Sequence, residues 1–225
     1  MKKLLYVLVL GLIILIMGCE KQKTNNLAAP VESIVETQIP LQAMIIIGNE
    51  FGNTYFDMKE ALEDQGFTVK TVGIGNKELL SSCPNHETIE VTPELDITEI
   101  TEENISEYAL VFIPSGKHHR TIQYSKDVKR VLNLSKDNSL YISSVCAGNI
   151  VLTSVEGLID GYEIASNVST KDFIDDAGGI SKYDRVVVDG CFVTGNTGGG
   201  KTGTGHEGAP TKELAEQLKL LLDGN

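Results

Sequence analysis

Cys146 stands where a predicted strand meets a predicted helix, and its thiol is the side chain best placed to act as a nucleophile. The strand covers Leu140–Val145 and the helix covers Asn149–Val155, with the small residues Ala147 and Gly148 between them. A cysteine on such a sharp turn is exposed, as in a nucleophile elbow. The helix N-terminus behind it favours the thiolate and leaves backbone N–H groups for an anion. The alternative is a buried structural cysteine, because free cysteine is among the most buried residue types.

Cys19 belongs to a second pattern, at the start of the chain, that is typical of exported proteins. Two lysines precede an apolar run, Leu4–Met17, which is shorter than the roughly 20 residues of a membrane span and fits a secretory signal. The run ends in Ile-Met-Gly-Cys19, which resembles the lipobox of bacterial-type lipoproteins, where the cysteine thiol receives a diacylglyceryl group. The alternative is a plain signal peptide with Cys19 as a bystander. We expect residues 1–18 to be a lipoprotein signal peptide and Cys19 to be anchored through membrane lipid, palmitate included, on the extracytoplasmic face of the cell membrane.

The elements that must position Cys146 are predicted from hydrophobic periodicity. Residues 19–42 are polar and poor in pattern, which indicates a lipidated cysteine followed by a flexible tether, and residues 43–225 form one domain. Short apolar runs typical of strands buried on both faces alternate there with segments of helical spacing. This alternation predicts an α/β fold with a mostly parallel sheet covered on both sides. The predicted strands are 43–48, 67–72, 88–91, 108–114, 140–145, 162–168 and the two arms of 185–194, and the predicted helices are 55–65, 121–135, 149–155 and 211–222.

The charge of the chain is strongly negative. Without residues 1–18 the formal charge falls from −12 to −14, and the segment Glu87–Glu107 alone holds eight acidic side chains. Nucleic-acid binding needs clustered cations, so we expect no nucleic-acid partner. The acidic segment is interpreted as a solvated face, with partner binding as a weaker alternative.

Three loops follow predicted strands at the sheet edge where function usually lies in open α/β folds: Gly48–Gly52, Pro114–Gly116 and Val145–Gly148. Six motifs occur in consistent order between residues 43 and 222: Asn49-Glu-Phe51, Ile113-Pro-Ser-Gly116, Val145-Cys-Ala-Gly148, Gly157-Leu-Ile-Asp-Gly161, Val186-Val-Val-Asp-Gly190 and Val193-Thr-Gly195. The series resembles the ThiJ/PfpI superfamily, which includes the parkinsonism-associated deglycase and the PfpI-type proteases.

This resemblance implies a flavodoxin-like three-layer sandwich of the class I glutamine amidotransferase-like type. It implies a reactive cysteine at Cys146 and an anion pocket formed by the backbone of Gly116 and Ala147. Relatives often pair as dimers, so a homodimer is expected. Their chemistry implies a hydrolase or a glyoxalase- or deglycase-like enzyme acting on a small carbonyl substrate, without a cofactor.

The sequence departs from the family pattern around the cysteine. The family has a glutamate that hydrogen-bonds the elbow thiol, two residues after the position of Glu50, and Gly52 stands there. Glu50 is the nearest carboxylate, although its register directs it away. The histidines that relatives have directly after the elbow cysteine or after the next strand are absent. Glu50 and Gly52 therefore remain candidates for the pocket lining, without an assigned base.

Two other places in the sequence offer a histidine. His206 precedes the last helix, where the related class I glutamine amidotransferases complete a Cys-His-Glu triad, but a glycine-rich insertion separates it from the preceding strand. His118 and His119 follow Gly116, and we expect one of the two to line the pocket, with His118 assigned to that place. Two adjacent histidines without a further ligand do not predict a metal site.

The glycine-rich segment Gly195–Thr202 fits the phosphate-binding pattern G-x4-G-K-[ST]. That mechanism requires the Lys-Thr pair to open a helix. The following residues, Gly203–Pro210, contain three glycines and one proline, which exclude a helix, so we interpret the segment as a loop over the pocket.

Two functional hypotheses follow from these residues. The first is an exported enzyme with Cys146 as its nucleophile. The second is a non-catalytic envelope protein that binds a small molecule or senses oxidants through Cys146, and the loss of the family glutamate favours it. A disulfide between Cys83 and Cys191 is an open alternative to free thiols.

Overall fold

Eleven strands occur in the computed structural model, which describes residues 41–75, 77–82, 88–198 and 208–224. Seven of them form one sheet with the order β10-β11-β7-β6-β1-β2-β5, in which every neighbouring pair is parallel except the hairpin β10–β11. The strands are β1 (Gln42–Ile47), β2 (Thr68–Gly73), β3 (Leu79–Leu80), β4 (Glu90–Val91), β5 (Leu95–Asp96), β6 (Leu110–Ile113), β7 (Tyr141–Val145), β8 (Glu163–Ala165), β9 (Ile180–Lys182), β10 (Val186–Asp189) and β11 (Phe192–Gly195).

Six α-helices in the described residues cover the two faces of this sheet: α1 (Thr54–Asp64), α2 (His119–Ile122), α3 (Lys126–Asp137), α4 (Gly148–Thr153), α5 (Lys171–Asp176) and α6 (Thr211–Leu222). Helices α1 and α6 pack on one face, where Met58 and Leu214 belong to one buried cluster. Helices α3, α4 and α5 supply Val131, Val151 and Ile174 to the cluster on the other face. The predicted flavodoxin-like three-layer α/β sandwich is confirmed.

The central strands form because their side chains are apolar on both faces. Leu110–Ile113 are all fully buried, as are Ala43–Ile47 of β1, so helices on both sides remove them from water. Each such side chain contributes roughly 1.5–3 kcal/mol when buried. This packing fixes the carboxyl ends of β1, β6 and β7, which all lie at one edge of the sheet because the strands are parallel.

The structure differs from the sequence prediction where elements are short. The segment 121–135, predicted as one helix, is divided into α2 and α3, because Ser125 caps α3 by accepting a hydrogen bond from the Val128 N–H at 3.4 Å. The elements β3, β5, α5 and β9 were not predicted, since two to six residues show too little periodicity. In the part of the chain described here, no helix has both the length and the apolar character that crossing a membrane requires.

Candidate functional site

Cys146 occupies the predicted turn between β7 and α4. Its φ angle is +53°, in the left-handed region that costs an L-residue about 1–2 kcal/mol, so neighbouring contacts must hold it there. The Cys146 N–H donates a hydrogen bond to the Gly195 carbonyl at 3.1 Å, and the Cys146 carbonyl accepts one from the Asn149 N–H at 3.0 Å. The thiol is free and its residue is half-buried. This arrangement is the geometry of a nucleophile elbow.

Asn149 fixes this turn from below, and sequence reasoning missed it. Its side chain is fully buried and accepts a hydrogen bond from the Ser144 hydroxyl at 2.5 Å. Its amide donates to the carbonyls of Ala165 at 2.6 Å and Gly195 at 3.1 Å. The Gly195 carbonyl thus receives both the Asn149 amide and the Cys146 N–H, which ties β7, β8 and β11 to the elbow. The signal that the sequence offered was an asparagine at the start of the predicted helix.

The Cys146 side chain opens into a cavity of about 380 Å³ at the carboxyl edge of the sheet. The lining is made largely of small residues, and its titratable members among the described residues are Cys146, Lys117 and His119. No carboxylate lines the cavity within the described ranges. The small lining residues are Gly52, Ser82, Ser115, Gly116 and Ala147. A volume of this size suits a small molecule rather than a folded chain.

Gly116 and Ala147 both line this cavity, as the predicted anion pocket requires. Within the described residues, neither the Gly116 N–H nor the Ala147 N–H donates a hydrogen bond to another group. Two such N–H groups in the lining that also contains Cys146 can donate hydrogen bonds to the oxygen of a bound carbonyl compound. Their role in binding an anion stays a prediction.

Gly52 lines the cavity, and the backbone around it leaves no space for a larger residue. Its N–H donates to the Ser115 carbonyl at 2.8 Å. A Cβ atom at position 52 would lie 2.8 Å from that carbonyl oxygen and 2.9 Å from the Ser115 hydroxyl. Gly116, whose φ angle is +128°, lies equally close to this loop, because a Cβ atom added at position 116 would lie 2.4 Å from the Gly52 nitrogen. The loops after β1 and β6 are therefore in such close contact that position 52 has no space for a side chain.

Restoring the family residue with Gly52→Glu is expected to lower the free energy of unfolding by about 1–3 kcal/mol, because the new side chain overpacks the Ser115 backbone. We also expect no gain in the reactivity of Cys146 toward small carbonyl compounds. Urea denaturation and a carbonyl-consumption assay measure the two effects. A stable variant with raised reactivity would show that the loop accepts the glutamate without strain.

Glu50 does not line the Cys146 cavity, contrary to its assignment as a pocket candidate. Its φ angle is +68°, and its carboxylate lies 3.8 Å from the Lys117 ammonium with both side chains more than half exposed. Glu50 lines a separate cavity of about 560 Å³ together with Asn49 and Leu80. The left-handed backbone at position 50 turns the carboxylate outward, as its register indicated.

His118 does not line the cavity either, and His119 does. The His118 side chain is fully buried, and its Nδ1 accepts a hydrogen bond from the Gly48 N–H at 3.2 Å. Its Nε2 donates to the Pro114 carbonyl at 2.8 Å. Burial lowers the pKa of His118 to about 4, while the contact with Pro114 opposes this shift and the neighbouring His119 adds to it. His118 therefore joins the ends of β1 and β6 as a neutral, structural residue.

Several candidate residues are far from the cavity or lie outside the described residues. Cys191 is a free thiol at the start of β11, at the edge opposite to Cys146, and burial raises the pKa of its thiol. His206, Cys19 and Cys83 lie outside the described residues, as does the Lys-Thr pair of the glycine-rich segment. No group of three or more histidine, cysteine or acidic side chains in the described ranges could hold a metal ion.

A parallel α/β sandwich with a cysteine on a left-handed turn between strand and helix defines the class of flavodoxin-like proteins with a nucleophile elbow. Residues 42–202 match the model of the DJ-1/PfpI family. The chain therefore belongs to the DJ-1/PfpI family, and the resemblance found in the sequence is confirmed. A comparison with curated protein sequences found no significant match.

Solved structures with the same fold come from several organisms. A ThiJ/PfpI domain protein from Brachyspira murdochii has a TM-score of 0.67 at 15% identity over 82% of this chain and 98% of that one. Drosophila melanogaster DJ-1beta has a TM-score of 0.63 at 20% identity over 82% and 91%. A two-domain protein with DJ-1/ThiJ/PfpI-like and ferritin-like domains from Anabaena variabilis has a TM-score of 0.62 at 21% identity, over 69% of this chain. This chain spans 43% of that protein's length. At these identities the likeness establishes the fold.

Proposed function

We propose that this protein is a lipid-anchored envelope enzyme that uses Cys146 as a nucleophile on small carbonyl compounds, with hydrolase or glyoxalase- and deglycase-like chemistry. The observation that carries the proposal is the left-handed Cys146 turn, which presents a free thiol to a cavity of about 380 Å³. The buried Asn149 amide donates to the same Gly195 carbonyl as the Cys146 N–H and so supports this turn. Such supported strain is typical of functional sites.

The composition of the cavity supports a small and electron-poor substrate. Lys117 lines the same cavity as Cys146, and the N–H groups of Gly116 and Ala147 donate to no other group within the described residues. A carbonyl oxygen that becomes negative as sulfur attacks its carbon is stabilised by such donors. The family also includes deglycases and proteases, which is consistent with attack on a carbonyl carbon.

The proposed location follows from the start of the chain. We propose that Cys19 carries the lipid and that the domain lies on the extracytoplasmic face, as a monomer or as the homodimer that the family resemblance implies. Outside the membrane no glutathione pool would reset an oxidised Cys146. The natural substrate must therefore be a compound of the envelope or the medium.

Replacing Cys146 with serine is expected to lower the consumption of methylglyoxal by the purified protein at least a hundredfold, because the hydroxyl is a much weaker nucleophile than the thiol. Cys191→Ser serves as the matched control and should keep the wild-type rate, since this thiol lies at the opposite edge of the sheet. Loss of the dicarbonyl is followed by derivatisation and chromatography. Equal consumption by wild type and Cys146→Ser would contradict the proposal.

A second candidate function is favoured by Gly52, which leaves the cavity without a carboxylate in the described ranges. In this case the protein is a non-catalytic binder or a redox-sensing thiol, and the unused N–H groups would stabilise sulfenic or sulfinic acid at Cys146. Purified wild-type protein distinguishes the two functions when carbonyl consumption and cysteine oxidation are both measured. A sensor would consume no carbonyl compound and would oxidise selectively at Cys146 in mild peroxide, whereas even oxidation of Cys83, Cys146 and Cys191 would exclude it.

A further inference from the structure

We propose that His119 is the proton acceptor and donor for Cys146, in the role that a glutamate at position 52 has in relatives. The inference rests on the proposed function and deepens it, because it assigns the missing base of the same site. Both residues line the cavity of about 380 Å³. His119 lies at the start of α2, directly after the loop that follows β6, so no residue of the glycine-rich segment is needed to complete the site.

The tautomer of His119 is determined by its hydrogen bond. Its Nδ1 lies 2.8 Å from the Gly116 carbonyl oxygen, and a carbonyl only accepts, so Nδ1 carries the proton. In the neutral ring Nε2 then has the free lone pair that can accept a proton. The site thus contains a thiol and an imidazole in the lining of one cavity, and a backbone carbonyl orients the imidazole as the carboxylate does in a catalytic triad.

The position of His119 is fixed by the buried residue before it. The N–H of His118 donates to the Glu50 carbonyl at 3.1 Å, and its imidazole joins Gly48 to Pro114. These bonds hold the start of α2 against the loops after β1 and β6. The backbone that carries His119 is therefore held rigidly. A catalytic base needs such support, because it must stay in a fixed position relative to the thiol.

The charged and titratable groups around His119 are few. Within the described residues the cavity lining adds Lys117 and Cys146, and the chain neighbours are the neutral, buried His118 and the exposed Arg120. Glu50 lies beyond Lys117 and pairs with its ammonium at 3.8 Å. No carboxylate in the described lining competes with His119 for the thiol proton.

The step that His119 would assist begins with proton transfer from the Cys146 thiol to Nε2. The thiolate sulfur then forms a bond to the carbonyl carbon of an aldehyde, and the π electron pair of the C=O bond moves to oxygen. The resulting alkoxide takes the proton back from Nε2 and becomes a hemithioacetal. Atoms and charge balance, and no oxidant or cofactor is consumed.

The test measures the rate at which Cys146 forms a hemithioacetal with methylglyoxal between pH 5 and pH 9. His119→Asn keeps an amide that can donate to the Gly116 carbonyl but has no base, and we expect its rate at pH 7 to fall 10- to 100-fold. Its rate should also depend more steeply on pH than the wild-type rate, because hydroxide or buffer must then remove the thiol proton. Arg120→Gln, a surface neighbour on the same helix, should keep the wild-type rate and profile.

Chemical rescue separates a lost base from a changed structure. Imidazole added to His119→Ala should restore a large part of the rate, and it should leave Cys146→Ser inactive. If both His119 variants react at the wild-type rate with the wild-type pH profile, the inference fails while the proposed function stands. If wild-type Cys146 itself reacts no faster than a free thiol, the proposed function fails with it.

Discussion

Replacing Asn149 with leucine is expected to lower the free energy of unfolding by about 3–5 kcal/mol, although the two side chains are similar in size. The change leaves the Ser144 hydroxyl and the Ala165 carbonyl without the partners they have in the fully buried Asn149 amide. Each buried polar group that loses its partner costs about 1–3 kcal/mol. Guanidinium denaturation of the purified protein at pH 7 measures the loss.

Ser144→Ala is the matched control, because it removes one hydrogen bond of the network and keeps both Asn149 donors in place. We expect it to cost about 1 kcal/mol. Asn149→Leu should also slow alkylation of Cys146, since the Gly195 carbonyl loses one of the two donors that hold the left-handed turn. Equal losses in the two variants would show that the Asn149 amide contributes little beyond its bond to Ser144.

The strands that carry the site could be predicted because their burial is complete. Runs such as Leu110–Ile113 and Ala43–Ile47 are apolar at consecutive positions, and at that length this pattern is typical of a strand covered on both faces. Cys146 could be placed at the elbow because it directly follows this type of apolar strand and precedes the small residues Ala147 and Gly148. The hydrophobic pattern and the turn residues act between neighbours along the chain, so their structural effect can be predicted from the sequence.

The distinction between His118 and His119 could not be predicted. Adjacent side chains at the start of a helix point in different directions, and the sequence does not reveal that Gly48 and Pro114 provide a donor and an acceptor for the first of them. Gly52 presents the same problem, because its contact with Ser115 joins residues 63 positions apart. Contacts between loops depend on the packing of the whole sheet, so the composition of the cavity needed the structure.

Lowering the pH from 7 to 4 is expected to remove about 3 kcal/mol of stability through His118 alone. Well above pH 6.5 the residue is neutral in both states and contributes no pH dependence. Below pH 6.5 the unfolded chain binds a proton that the folded protein, with the His118 pKa held at about 4 by burial, does not bind. The free energy of unfolding therefore falls as the pH falls from 6.5 to 4, by at most about 1.4 kcal/mol per unit.

The variant His118→Gln isolates this contribution, because glutamine does not titrate and its amide can still donate to the Pro114 carbonyl. Carboxylates titrate alike in both proteins, so between pH 7 and pH 4 the wild type should lose about 3 kcal/mol more unfolding free energy than the variant. A difference independent of pH would show that His118 titrates normally.

Protonation of Nδ1 would also end its hydrogen bond from the Gly48 N–H, which joins the first loop of the site to α2. Acid should therefore loosen the support of His119 before the sheet unfolds, and the reactivity of Cys146 should fall at a higher pH than the helical signal in circular dichroism.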